Sequence, residues 1–195
     1  GQWWEDNVQR SLANNSVAYS EKPGMDAFME EWLSLYQSKS GERGIFNREA
    51  AVKQAAKNRR RDTDYAFGTN PCSEIILRPH QFCNLTEVVV RAEDDLVALK
   101  RKVRLATILG TMQATLTDFK YLRKVWKHNT EEERLLGVSL TGIFDSKWLT
   151  NKGHMQIAPN LKEMREVAII TNKEFAKAFK INQSTAITCV KPSGT

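Results

Sequence analysis

Apolar residues recur every three or four positions in four stretches of the chain, which is the spacing of one face of a helix. The pattern predicts helices over residues 26–38, 48–58, 96–118 and 159–179. Polar residues with N-cap chemistry precede two of them, Asn47 before the second helix and Asp94 or Asp95 before the third. A fifth, shorter helix is predicted to start at Thr130, because Thr130 and Glu133 have capping-box spacing.

Between these helices lie short runs rich in β-branched residues, which favour strands. The runs cover residues 16–19, 74–77, 85–90 and 184–190, and residues 138–142 form a strand or a tight loop. Strands that alternate with helices indicate an α/β fold with covered strands. No internal repeat or dividing linker interrupts the chain, so we expect a single domain over residues 1–195.

Composition narrows the class of protein. The 195 residues are 41% hydrophobic and 27% charged, typical of a globular domain. The net charge of +6 is spread along the chain, and its densest run, Lys57–Arg61, is soon followed by Asp62 and Asp64, as on a solvated face. We expect no nucleic-acid partner, although a basic nucleic-acid-binding module stays an alternative that salt-dependent DNA binding would support. No apolar run has the length of a membrane span, so no membrane partner is expected.

Three cysteines, an odd number, do not indicate a disulfide-stapled secreted domain. Reduced thiols and a cytoplasmic location fit better. Cys72 and Cys83 lack the CxxC or paired-histidine spacing of structural zinc sites, so no metal site is predicted.

Asn70, Cys72 and Glu74 occupy alternate positions of one short segment. If the segment is extended, an amide, a thiol and a carboxylate point the same way. Cys83 adds a second thiol nearby. An isolated cysteine is more often a small buried residue, but this combination favours catalysis.

Five separated stretches, in order along the chain, carry a family resemblance. They are Leu12–Val17, Gly44–Ala50, Asn70–Glu87, Gly137–Gly142 and Val190–Thr195. Their sequences resemble those of the ribonucleotide reductases, specifically the adenosylcobalamin-dependent (class II) ribonucleoside-triphosphate reductases. The resemblance implies a ten-stranded α/β barrel, like that of the glycyl-radical enzymes. This chain would be a partial catalytic barrel domain, truncated at both ends.

The resemblance also implies the chemistry. Ribonucleoside triphosphates would be reduced to deoxyribonucleoside triphosphates by a thiyl radical on Cys72, with adenosylcobalamin as cofactor and thioredoxin as reductant. Glu74 would take the proton of the 3′-hydroxyl, and Asn70 would orient the sugar or the carboxylate. Cys83 would be one of two redox-active thiols, whose partner lies upstream of this chain.

Substrate binding follows from the same resemblance. The small-residue turn Ser193, Gly194 and Thr195 would hold substrate phosphates through its backbone N–H groups, and Asn15 and Ser16 would lie near the pocket. Cys189 matches no catalytic cysteine of the family and is interpreted as a buried strand residue.

Two other interpretations stay open within the resemblance. The chain could belong to the catalytic subunit of an iron-dependent ribonucleoside-diphosphate reductase. It could also be a non-catalytic fragment of such an enzyme, and as an isolated fragment it is expected to be inactive.

Overall fold

A computed structural model describes residues 3–9, 15–41, 43–150 and 154–192. The chain divides into two compact units, Gly1–Pro71 and Cys72–Thr195, which are described separately. Compactness alone does not separate domains, so the single domain expected from the sequence stays a prediction.

The first unit is built on two parallel strands. Its elements are α1 (Trp3–Asp6), β1 (Asn15–Tyr19), α2 (Met25–Ser38), β2 (Arg43–Asn47), α3 (Arg48–Ala56) and β3 (Gly68–Thr69). β1 pairs with β2 in register from Asn15↔Arg43 to Tyr19↔Asn47, and α2 is the crossover that a parallel pair requires. The side chain of Asn47 accepts the N–H of Ala50 at 2.9 Å, which confirms the predicted cap of α3.

The second unit contains a larger parallel arrangement. Its elements are β4 (Ile76–Leu77), β5 (Asn84–Val89), α4 (Leu96–Gln113), α5 (Lys124–Glu133), β6 (Leu136–Thr141), a 3₁₀ turn (Ile143–Asp145), α6 (Lys147–Thr150) and α7 (His154–Phe179). β5 pairs with β6 in register from Asn84↔Leu136 to Val89↔Thr141. On the other edge of β6, a parallel bridge joins Val138 to Thr188, and the N–H of Cys189 donates to the carbonyl of Val138 at 3.1 Å.

Helices α4 and α7 pack against each other, and the core lies between them and one face of this sheet. The core residues of the strands and the two helices include Val88, Val90, Leu136, Val138, Leu99, Val103, Met164 and Ala168. The apolar stripe predicted for α4 therefore faces the core as expected. No helix among the described residues has the length and apolar character needed to cross a membrane.

The structure confirms the α/β class but corrects several predicted boundaries. α4 ends at Gln113, not near Asp118. Thr130 lies in the last turn of α5, which begins at Lys124, so the predicted capping box at Thr130 is wrong. Tertiary contacts outweigh the local pattern there, because buried Glu133 hydrogen-bonds Gln81 at 2.7 Å.

The last predicted strand, over residues 184–190, is reduced to the bridge at Thr188 and a few ladder hydrogen bonds. Among the described residues this segment pairs with β6, and its ladder hydrogen bonds there are confined to Leu136 and Val138. The segment still runs alongside β6, and this alignment decides where its side chains lie.

Gly137 lies in β6 at a position without room for a side chain. A Cβ atom at this position would lie 2.5 Å from Cδ2 of Leu85 and 2.8 Å from Cδ1 of Ile75. We expect Gly137→Ala to lower the free energy of unfolding by about 1–3 kcal/mol through overpacking, as measured by urea denaturation. Gly110→Ala in α4 is the matched control, because its new Cβ would meet nothing closer than 3.5 Å. That variant should be neutral or more stable by up to about 1 kcal/mol, and equal destabilisation of the two variants would contradict the packing argument.

Candidate active site

The sheet face opposite α4 and α7 gathers polar side chains. The register sets Leu85 beside Gly137 and Glu87 beside Ser139, and paired residues of parallel strands project to the same face. The sulfur of Cys189 joins them, because a Cβ on Gly137 would lie 3.1 Å from Cys189 Sγ. The absence of a side chain at Gly137 therefore makes room for this thiol.

Lys191 extends from the edge segment into the same region. Its backbone N–H donates to Oγ of buried Ser139 at 3.1 Å. Its ammonium lies 3.3 Å from Oε1 of Glu74 and 3.9 Å from Sγ of Cys72. The side chain of Glu74 is 0% exposed and that of Lys191 is 30% exposed. A partly exposed ammonium therefore pairs with a buried carboxylate.

Cys72 and Glu74 come together differently from the sequence-based prediction. The condition of an extended segment over residues 70–74 is not met, because Pro71 and Cys72 form a turn and Ser73 has a φ of 63°. Proline favours turns by presetting φ. A left-handed serine costs about 1–2 kcal/mol, and such strain is concentrated at functional sites. The turn, and not strand alternation, places both side chains around Lys191.

The three cysteines are free thiols in different surroundings. Cys72 is exposed, whereas Cys83 and Cys189 are half-buried. Burial, with the nearby Glu74 carboxylate, raises the pKa of Cys83. Burial, followed by the charges of Glu74 and Cys83, raises the pKa of Cys189 to about 11. Cys189 therefore lies close enough to Glu74 and Cys83 of the predicted site for their charges to act on it. The sequence did not indicate this proximity.

Cys83 also borders open space at the start of β5. A cavity of about 620 Å³ is lined there by Phe82, Cys83, Asn84, Ala114 and Leu116, among others. The half-buried thiol thus lies between this cavity and the cluster around Glu74.

The predicted site residues fall into three groups. Cys72, Glu74 and Cys83 lie in the second unit, where Lys191 and Cys189 join them. Asn70 is half-buried and belongs to the first unit, as do Asn15 and Ser16 of β1, where Ser16 pairs with Gly44. The predicted phosphate-binding residues Ser193, Gly194 and Thr195 lie outside the described residues. Within the described ranges, no three His, Cys, Asp or Glu side chains group to hold a metal ion.

Sequence reasoning missed Lys191. It lies in the stretch Val190–Thr195 that carries the family resemblance, yet no local pattern links it to a carboxylate more than one hundred residues earlier in the chain. Only the pairing of the last segment with β6 brings the two together.

Comparisons with known proteins agree with the resemblance, although no family model matches the chain. An adenosylcobalamin-dependent ribonucleoside-triphosphate reductase of Lactobacillus helveticus is 30% identical over 225 residues, covering 95% of this chain and 28% of the relative. The enzyme of the same name from Lacticaseibacillus paracasei is 28% identical, with the same coverage of both chains. That of Euglena gracilis is 28% identical over 96% of this chain and 25% of its own length.

A solved structure shows the same fold. The crystal structure of a B12-dependent (class II) ribonucleotide reductase matches 99% of this chain and 30% of that chain, with a TM-score of 0.61 and 20% identity. The chain thus spans little more than a quarter of the length of the curated relatives that it matches. These comparisons confirm the resemblance that the sequence motifs indicated.

The surroundings of the thiols predict an order of reactivity. At about neutral pH, iodoacetamide should modify Cys72 first because its thiol is exposed. It should modify Cys189 last, because the thiolate is the reactive form and the raised pKa of Cys189 leaves little of it. The rate of modification at Cys189 should rise about tenfold per pH unit, since its thiolate fraction also increases about tenfold per pH unit below its pKa. That pKa is about 11. Mass spectrometry of each cysteine peptide over time measures these rates, and fastest labelling at Cys189 would contradict the assignment.

Proposed function

We propose that this chain, a homologue of part of the adenosylcobalamin-dependent ribonucleoside-triphosphate reductases, supplies the radical site of such an enzyme. The observation that carries the proposal is that Cys72 and Glu74 both contact the ammonium group of Lys191. The relatives that bear this name align with 95% of the chain. The substrate would be a ribonucleoside triphosphate and the product the corresponding 2′-deoxyribonucleoside triphosphate, for DNA synthesis.

The chemistry removes a 2′-hydroxyl from an unactivated carbon. A thiyl radical on Cys72 takes the hydrogen atom from the 3′ carbon, while Glu74 accepts the proton of the 3′-hydroxyl. The 2′-hydroxyl then leaves as water with a proton from a thiol. The second thiol gives a hydrogen atom to the 2′ carbon, and the two sulfurs join as a disulfide. Their remaining electron and the proton held by Glu74 return to the 3′ position, and Cys72 then returns its hydrogen atom to the 3′ carbon.

Other residues of the chain bind and orient. Asn70 would orient the sugar or the carboxylate, and Cys83 would be one thiol of the redox pair, with a partner upstream of this chain. Ser193, Gly194 and Thr195 would hold substrate phosphates, with Asn15 and Ser16 near the pocket. Thioredoxin would reduce the disulfide. Free thiols are consistent with a cytoplasmic enzyme.

The exposure of Cys72 is compatible with adenosylcobalamin as cofactor, because a bulky cofactor can approach an exposed sulfur. When bound, adenosylcobalamin supplies the one-electron oxidation that the Cys72 thiol needs. The protein contributes binding, orientation and electrostatics around that thiol.

We also propose that residues 1–195 form part of a single ten-stranded α/β barrel domain. The parallel arrangement of β5, β6 and the segment at Thr188 supports this proposal, since successive strands of an α/β fold that are joined by helical crossovers run parallel. Among the described residues, α4 and α7 cover one face of these strands, and Cys189 lies on the other face, as expected if that face points into a barrel.

Replacement of the proposed radical thiol tests the function. In the polypeptide that contains these residues, Cys72→Ser should abolish deoxyribonucleotide formation, because a serine hydroxyl does not form the radical, and nucleotide binding should persist. Product is measured by chromatography with adenosylcobalamin and thioredoxin present, and binding by calorimetry with the same triphosphate. A variant that turns over at a near-normal rate would exclude Cys72.

The same assay separates the alternatives. Turnover of triphosphates that requires adenosylcobalamin supports the proposal. Turnover of diphosphates that requires a second, iron-containing subunit would instead favour the iron-dependent class. A wild-type polypeptide that binds nucleotide but forms no product under either condition would favour a non-catalytic fragment.

A further inference from the structure

Lys191 has no role in the chemistry described above, yet its ammonium lies at the centre of the site. It is 3.3 Å from Glu74 Oε1 and 3.9 Å from Cys72 Sγ. The contact with Glu74 is both shorter and between opposite full charges, so it dominates. The carboxylate is fully buried, and a buried charge is retained only when it is paired or well hydrogen-bonded.

The backbone of Lys191 is fixed independently of its side chain. Its N–H donates to Ser139 Oγ at 3.1 Å, and the preceding Cys189 N–H donates to the carbonyl of Val138 at 3.1 Å. Pro192 follows, with a restricted φ. Because β6 holds this segment at two points, the ammonium approaches Glu74 from a defined direction.

We propose that Lys191 is a positioning residue that keeps the Glu74 carboxylate ionised and held beside Cys72, ready to accept the substrate proton. This inference rests on the proposed function, since it assigns the partner of the same base. It also explains the small residues of β6. Gly137 leaves space for Cys189 and Leu85, and Ser139 anchors Lys191.

The ionisation of Lys191 is consistent with this role. The hydrogen bond to Glu74, then the charge of Glu74, raise the pKa of Lys191 above its ordinary value. The other ionisable groups that act on Lys191 or on the neighbouring thiols are Cys72, Cys83, Glu87 and Cys189. A raised pKa means that the ammonium stays charged throughout neutral pH, and the ion pair is lost only as the pH rises through that value.

The test uses the polypeptide that contains these residues, with Lys191→Gln, Lys191→Arg and the matched control Lys53→Gln. Lys53 forms an exposed ion pair with Glu49 at 2.6 Å on the surface of α3, away from any proposed role. Lys191→Gln should lower kcat roughly tenfold to a hundredfold and change KM by less than about threefold, as expected when a general base is misplaced. Lys53→Gln should match the wild type.

Two further readouts separate positioning from mere structural support. In Lys191→Gln the acidic limb of the pH–rate profile should move to higher pH, because the carboxylate loses the cation that favours its ionised form. Lys191→Arg should restore the position of that limb, since it keeps the charge. In Glu74→Gln the pKa of Lys191 should fall, as measured by NMR titration of the ¹³C-methylated lysine. Circular dichroism of each variant verifies folding.

The outcomes are distinguishable from failure of the proposed function. If the wild type forms deoxyribonucleotide and Lys191→Gln does so at the same rate with an unchanged acidic limb, the positioning role is overturned while the function stands. The role also fails if Glu74→Gln leaves the Lys191 titration unchanged. A wild type without product overturns both, and a Lys191 titration that still depends on Glu74 would then show a structural ion pair only.

Discussion

The parallel pairing of β6 with neighbours on both edges is the constraint on which the site depends. β5 fixes one side in register, and the segment at Thr188 fixes the other through a bridge and ladder hydrogen bonds. Parallel strands need long crossovers, so residues that are far apart in sequence meet on one face. Lys191 reaches Glu74 across this sheet although 117 positions separate them in sequence.

The two faces of the sheet differ in composition. Helices α4 and α7 bury one face in an apolar core, where hydrophobic burial provides most of the stability. The other face carries Leu85 beside the small residues Gly137 and Ser139, and these small residues leave space that Cys189 and Lys191 enter. The apolar core and the proposed site therefore lie on opposite faces of a single strand, because successive residues alternate in direction.

A second polar network holds the connection that delivers Cys83. Buried Arg78 pairs with Glu132 at 2.8 Å and with Glu133 at 3.4 Å. Gln81 donates to Glu133 at 2.7 Å and accepts the N–H of Arg78 at 2.9 Å. These bonds hold residues 78–81 against α5 and so fix the start of β5. Cys83 therefore lines the cavity and also lies near Cys189 and Glu74. Buried ion pairs contribute more to such geometry than to net stability.

The sequence by itself determined the long elements and the residue types of the proposed site. The apolar periodicity predicted α4 and α7, the cap chemistry predicted the start of α3, and the spacing of Cys72, Glu74 and Cys83 indicated thiol chemistry. Local patterns suffice for these features, because each depends on neighbours within a few residues. The tertiary structure alone decided that residues 71–73 turn, that Thr130 ends a helix instead of starting one, and that Lys191 and Cys189 join the site. The physical reason is that these outcomes depend on strand register and on buried charge pairs between distant residues, and no local pattern encodes which distant partner a side chain will meet.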